Sequence, residues 1–391
     1  MTAATLVLNG GSSSLKFAVF SVGDELRLLV RGSVSSIGCR PRLHVAPTAV
    51  SPEVDRSLGD GSIDIASAFE AVAGFLADRD LLRRIGKVGH RIVHGGHEFV
   101  RATQLDERTL EALRRLEPLA PIHQAINLEI VGLASRLLPE AKQLGCFDTA
   151  FHQARPELAK IYGLPHAMSE QGIVSYGFHG LSYSHIAATL RDRYGDGTGG
   201  RTIVAHLGSG ASLCAMKAGM SHATTMGFST LDGLVMSTRC GAIDPGVILH
   251  LLRDRKLSSD QLTDLLYERS GLLGVSGISG DMQTLLASKD PAAARAIELF
   301  VYRVGREIGS LAAAVGGLDT LVFTAGVGEH APMIRQRICA AAGWLGVVLD
   351  NDVNRSGEER VNAANSLVDV LVIPADEERA VATELVNFET V

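Results

Sequence analysis

The sequence has no basic surplus. Its 37 Lys and Arg face 43 Asp and Glu, for a net charge of −6. Without excess cations to neutralise phosphates, a non-specific nucleic-acid binder is excluded, although local basic loops can still hold a small anion. Cysteines are few. Cys39, Cys146, Cys214, Cys240 and Cys339 are scattered, odd in number and never spaced C-x-x-C. That excludes a disulfide framework and the usual zinc spacings, and points to a reducing cytoplasm. No apolar run approaches about 18 residues, so no membrane span is expected. No basic segment precedes the first apolar run, so a secretory leader is not expected. A Walker loop is absent as well, because no G-x-x-x-x-G-K-[ST] occurs.

What is present is glycine and a large apolar fraction. The 391 residues include 42 glycines and are 46% hydrophobic, enough core for two domains or one large one. The glycines cluster in turns that follow apolar runs. The first case is Leu6 to Phe20, where two glycines, three serines and Lys16 separate two apolar strands. Such a turn brings backbone close to a ligand, and its hydroxyls and amides can donate to phosphate oxygens. The same wording describes an ordinary hairpin. The pattern returns at Thr202 to Met216, where another apolar strand enters a Gly/Ser turn and another leaves it, about 200 residues on. The repetition points to an internal duplication with one phosphate-facing loop per copy.

Between and after these hairpins the chain alternates strands and helices. The region Glu25 to Val50 reads as strands and turns, and Thr48 to Gly61 as a polar loop. Ile63 to Arg84 has helical spacing. Ile85 onward reads as a buried strand leading to a loop with Arg91, His94 and a glycine pair. Helices follow at Asp106 to Leu116, capped by Asp106, and at Ala125 to Leu138. Leu144 to Asp148 is a strand ending in an acid, which is either a ligand position or a helix cap. Tyr176 to Ser182 places His179 between glycines ahead of a helix reaching Tyr194. Arg239 lies in the Gly-rich, nearly uncharged stretch Thr224 to Pro245, where it needs an anion or a carboxylate such as Asp232 or Asp244. Helices are expected over Val247 to Arg253 and Ser259 to Arg269, and a loop over Gly274 to Asp281. Pro291 to Val315 is the clearest helix, with Ile297, Phe300, Val301, Val304, Ile308, Leu311 and Val315 on one face. Thr320 to His330 reads as a strand and then a Gly loop, followed by a helix from about Pro332. A last strand spans Leu367 to Ile373, and the acids after Pro374 open a terminal helix.

The blocks LVLNGGSSSLKF, VGHRIVHGG, LAPIH, FDTAFH, YGFHG, HLGSGAS, MGF…LDGLVMSTRCGAIDP, GVSGISGD, FTAGVGE and IPADEE, taken in order, resemble the acetokinase family over nearly the whole chain. The resemblance implies an α/β fold of two duplicated actin-like (ribonuclease H-like) domains with an active-site cleft between them. The first domain would be 1–150 plus 375–391, and the second 151–374, carrying nucleotide binding and dimerisation. It implies reversible, Mg²⁺-dependent in-line phosphoryl transfer from ATP to acetate, giving ADP and acetyl phosphate, with Mn²⁺ as a substitute metal. It also implies a cytoplasmic homodimer with no nucleic-acid or membrane partner.

Carried over residue by residue, the resemblance places Asn9 and Glu377 at the metal, and Ser12, Ser14 and Lys16 on the phosphate side. Arg91 and Arg239 hold the acetate carboxylate and the transferring phosphoryl group, and His179 contacts a phosphoryl oxygen. Asp148 matches the active-site acid or base. A carboxylate acceptor is already ionised, so Asp148 is better read as orienting Arg91 or metal-bound water. Val93, Ile122, Phe178 and Thr230 match the acyl pocket. The ATP loops match His206, Leu207, Gly208, Ser209 and Gly210; Asp281, Met282 and Gln283; and Gly326, Val327, Gly328, Glu329 and His330.

This chain departs from the family's usual residues in several places. Ser209 and His330 each replace Asn, Met282-Gln283 replaces Phe-Arg, Thr230 replaces Pro, and Gln124-Ala125 replaces Asn-Pro. These changes bear on nucleotide affinity and on the choice between acetate and propionate. The alternatives are therefore a kinase for propionate or another short carboxylate, and a non-catalytic nucleotide-binding module of the same fold.

Overall fold

The computed structural model describes residues 4–11, 13–23, 25–49, 51–121, 123–195 and 200–388. Ser12 and Ile122 lie outside the described residues. The chain divides into two compact units, Met1–Phe151 with Asp376–Val391, and His152–Ala375.

In the first unit, strands β1 (Ala4–Gly10), β2 (Ser14–Ser21), β3 (Arg27–Ser35), β4 (Arg42–Ala46), β5 (Val54–Ser57), β6 (Ile85–Ile92), β7 (Thr103–Gln104) and β8 (Lys142–Phe147) form one sheet. Its order is β5-β4-β3-β2-β1-β6-β8-β7. The meander β1-β2-β3 is antiparallel, whereas β6 lies parallel to β1 and β8 parallel to β6. Every residue of β1 is buried, as a strand covered on both faces must be. On one face Leu6, Leu8 and Phe17 pack with Phe69, Val72 and Phe75 of helix Ile65–Ala77 and with Ile130 of helix Gln124–Leu137. On the other lies the terminal helix Glu377–Asn387. It approaches β6 so closely that a Cβ at Gly89 would fall 2.5 Å from Val381 Cγ1.

In the second unit, β9 (Arg201–Leu207), β10 (Ala211–Lys217), β11 (Met220–Thr224), β12 (Thr320–Thr324) and β13 (Asp369–Val372) form a sheet of order β11-β10-β9-β12-β13. Here too an antiparallel meander is followed by two parallel strands. The pattern matches that of β3-β2-β1-β6-β8, so the repeated hairpin reflects a duplicated actin-like topology. Helix Pro291–Val315 buries all seven of the residues named above on its face. Asp290 caps its start by accepting from the Ala292 amide at 2.8 Å, and Gly316 ends it at φ 79°.

The structure differs from the sequence expectations at five places. Residues Val54–Ser57 of the supposed loop form edge strand β5; three of the four are exposed, so no apolar alternation marks them. The helix expected over Ile63 to Arg84 stops at Ala77, and a separate 3-10 turn spans Leu82–Arg84. Arg91 lies within β6, ahead of the loop. Gly271–Ser276 is a short helix overlapping the loop expected from Gly274. Ala325–His330 is helical despite its two glycines. Ala325 makes the sharp turn into that helix at φ 65°, and Arg335 holds its end by donating to the Gly328 and Glu329 carbonyls. No helix among the described residues is long and apolar enough to cross a membrane.

Candidate active site

In the first unit, ionic side chains gather where β1, β6 and β8 end and the terminal helix begins. Arg91 donates to Asp148 Oδ2 from Nη2 at 2.7 Å and from Nε at 3.1 Å. Its Nη1 reaches Asn9 Oδ1 at 3.0 Å and lies 3.5 Å from Glu377 Oε2. Asn9 donates Nδ2 to Glu377 Oε2 at 2.9 Å and to Glu378 Oε1 at 3.3 Å. Asp148 is 1% exposed, and its amide donates to the Ile92 carbonyl. Burial opposes the charge on Arg91, but Asp148, then Glu377 and Glu378, outweigh it and raise the pKa above the ordinary guanidinium value. The group is a permanent cation with a fixed plane. Asp376 caps the terminal helix by accepting from the Arg379 amide and pairs with Arg31.

Two residues from helix Gln124–Leu137 set the loops around this cluster. Asn127 donates to the Gly10 carbonyl at 2.8 Å and accepts from the Val93 amide at 3.1 Å. Gln124 accepts from the His94 amide and donates to the His94 carbonyl. The only sequence signal for Asn127 was a polar side chain on a face otherwise turned inward. Lys16 lies opposite Asn9 in the β1–β2 ladder and is exposed, and Ser14 accepts from the Gly11 amide through its carbonyl. Val93 is buried.

In the second unit, His179 has φ 57° at the start of helix Gly180–Tyr194, a left-handed backbone that non-glycine residues adopt at a cost. Phe178 is fully buried beside it. His206, on β9, stacks on His179 with centroids 4.2 Å apart and planes at 20°, and its Nδ1 is 2.9 Å from Ser182 Oγ. A Cβ added at Gly210 would sit 3.3 Å from His179 Nε2 and 3.9 Å from Arg239 Nη1. Imidazole, guanidinium and glycine turn therefore share one small space. Arg239 Nη1 also donates to the carbonyl of Thr230, at 3.2 Å.

The loops carrying the expected nucleotide residues are tied together. Ser237 donates its amide to the Ser209 carbonyl and its hydroxyl to the Gly280 carbonyl. Ala325 Cβ lies 3.7 Å from the Cβ position of Gly208. Asp281 caps helix Met282–Ala287 through the Thr284 amide and hydroxyl, which lower its pKa. Met282 is buried in the core while Gln283 is exposed. Glu329 accepts from the Ala375 amide at 2.9 Å, and His330 is largely exposed. Arg335, buried and bonded to Asn354, braces the Gly328–Glu329 end; nothing in the local sequence marked it.

Both units thus carry their charged and glycine-rich elements where parallel strands end, on a duplicated β-meander scaffold. That combination defines an actin-like nucleotide-fold protein. Residues 4–383 match the model of the acetokinase family. The chain is 48% identical to an acetate kinase of Rhodopseudomonas palustris over 98% of its own length and 97% of the relative's. It is 45% identical to one from Nitrobacter hamburgensis, over 98% and 95%. Among solved structures it superposes on a propionate kinase from Francisella tularensis with a TM-score of 0.90 at 34% identity, covering 98% of both chains. A Porphyromonas gingivalis acetate kinase superposes with a TM-score of 0.86, also at 34% identity, covering 99% of this chain and 100% of the other. The chain belongs to the acetokinase family. Membership makes it an enzyme of the kinase class.

Proposed function

We propose that this chain carries out Mg²⁺-dependent, direct in-line transfer between ATP and acetate through Arg91, Asp148, His179 and Arg239. The observation that carries the reading is Arg91, held in one orientation by Asp148 and Asn9. A planar, permanently charged fork is suited to a carboxylate or phosphoryl group. The acceptor is ionised at neutral pH, so no strong base is required, and the barrier lies in bringing anion to anion. Arg91 orients the carboxylate, with Asp148 holding the guanidinium rather than moving a proton. Arg239 and His179 stabilise charge on the transferring group. Val93 in the first unit, and Phe178 and Thr230 in the second, are buried side chains suited to an acyl group. Lys16, the Gly208–Gly210 turn, Asp281 to Gln283 and Gly326 to His330 engage ATP.

No group of three or more His, Cys, Asp or Glu side chains among the described residues is arranged to ligate a metal. A hard cation held mainly by phosphates and water needs only one or two protein oxygens, and the Asn9–Glu377 pair beside Glu378 offers that chemistry. When bound there, Mg²⁺ would neutralise polyphosphate charge. A homodimer is supported by helix Pro245–Arg253, which buries none of its residues yet carries exposed Val247, Leu249 and Leu252 next to Ile243. A cytoplasmic location is supported by the five unpaired thiols.

The test is to incubate the protein with Mg-ATP and acetate, propionate or butyrate and to trap acyl phosphate with hydroxylamine. Acyl hydroxamate with acetate is expected. Its absence with all three acids, alongside ATP binding by calorimetry, would make the chain a non-catalytic nucleotide binder.

A further inference from the structure

The second unit contains a buried hydrogen-bonded chain behind His179. Tyr183, on helix Gly180–Tyr194, and Ser212, on β10, are both fully buried. The Tyr183 hydroxyl is 2.5 Å from Ser212 Oγ, and Ser212 Oγ is 2.8 Å from His179 Nδ1. With His206 stacked on its face, the imidazole is fixed in plane and in rotation.

The three groups differ as donors and acceptors, and that difference orders the protons. Serine has one proton to give and two lone pairs. A phenol is a stronger acid and a poorer acceptor than an alkanol, and a bare imidazole nitrogen is the best acceptor of the three. The favoured arrangement has Tyr183 donating to Ser212 and Ser212 donating to Nδ1. The ring proton then resides on Nε2, the nitrogen that shares the space above Gly210 with Arg239 Nη1. The reverse arrangement would present a lone pair there, which repels a phosphoryl oxygen.

We propose that Ser212, backed by Tyr183, is a positioning residue that selects the Nε2–H tautomer of His179, so that the imidazole meets an anionic oxygen as a donor. The proposal rests on the reading of His179 as a contact to the transferring phosphoryl group. It reaches beyond that reading by assigning a role to two residues outside the glycine-rich loops.

The experiment uses the full chain labelled with ¹⁵N-histidine, with His179→Gln identifying the His179 signals. Two-bond proton–nitrogen correlations distinguish the tautomers, and the Nε2–H pattern is expected in the unsubstituted protein. Ser212→Ala should mix the two tautomers and lower kcat about tenfold, the effect of one buried hydrogen bond, with both KM values within about twofold. Tyr183→Phe should act in the same direction and less strongly. In the His179→Gln background, Ser212→Ala should slow turnover no further, because the two residues act through one group. An Nδ1–H pattern in the unsubstituted protein overturns the proposal. So does a full additional loss in the His179→Gln background. If His179→Gln leaves kcat unchanged, the phosphoryl-contact reading fails by itself, while the spectrum still decides what Ser212 does to the ring.

Discussion

Asp148 grips Arg91 through two of the guanidinium's nitrogens, Nη2 at 2.7 Å and Nε at 3.1 Å, leaving Nη1 to Asn9. The pair joins neighbouring parallel strands, with Arg91 on β6 and Asp148 just beyond β8. Asp148 is almost fully buried while the Arg91 side chain keeps 18% exposure, so the guanidinium is the member open to a ligand.

Removing the carboxylate should therefore cost both stability and rate. Asp148→Ala leaves a mostly buried guanidinium without its main partner, a loss of about 3 kcal/mol measured by urea unfolding. Its kcat/KM for acetate should drop by about two orders of magnitude or more, since Arg91 loses its orientation. Asp148→Asn, which keeps hydrogen-bonding capacity, should lose less. Turnover by Asp148→Asn within about tenfold of the unsubstituted enzyme would support the orienting role, and a loss as deep as that of Asp148→Ala would make Asp148 the proton acceptor.

Gly210→Ala is a test of space. The added methyl would stand 3.3 Å from His179 Nε2 and 3.9 Å from Arg239 Nη1. Gly210 is not among the positive-φ residues, so alanine suits the backbone there, and the strain falls on the His179 ring, which must shift by a few tenths of an ångström. Turnover should fall by about two orders of magnitude or more, the scale of losing a preorganised contact to developing charge. Near-normal kcat would place the reacting group elsewhere.

Asn127→Leu keeps the side chain's bulk but removes its bonds to the Gly10 carbonyl and the Val93 amide, both at buried sites. Two stranded polar groups should destabilise the protein by about 2–4 kcal/mol in denaturant titration. The KM for acetate should rise, because the Val93 loop loses its tie. An unchanged KM would detach Val93 from acetate binding.

Stability should also fall in mild acid. Burial lowers the pKa of His90 and of His94 from 6.5 to about 4, and that of His152 to about 3. The folded protein keeps these rings neutral where the unfolded chain protonates them, so stability is full above about pH 6.5. It declines as pH drops from there towards about 4, and towards about 3 for His152, each ring contributing up to about 1.4 kcal/mol per pH unit. The urea midpoint should drop steadily between pH 7 and pH 5. A flat profile would mean these rings are not held neutral.

The sequence by itself determined the buried central strands, the long helices and the duplication, because these follow from local periodicity and turn chemistry. The face of Pro291–Val315 and the cap at Asp106 are written in neighbouring residues. Local polarity misled where tertiary ties override it, as at edge strand β5 and at the helix braced by Arg335. Family wording pointed to Asn9, Arg91, Asp148 and Glu377 as separate candidates. Only the tertiary structure brings them together, with Asn9 and Glu377 meeting across 368 positions of chain. It alone places Ser212 against His179 and Asn127 under the first hairpin. The reason is physical: one chain's pattern reports which face of an element is buried, whereas the partner across that face depends on how distant strands are ordered in the sheet.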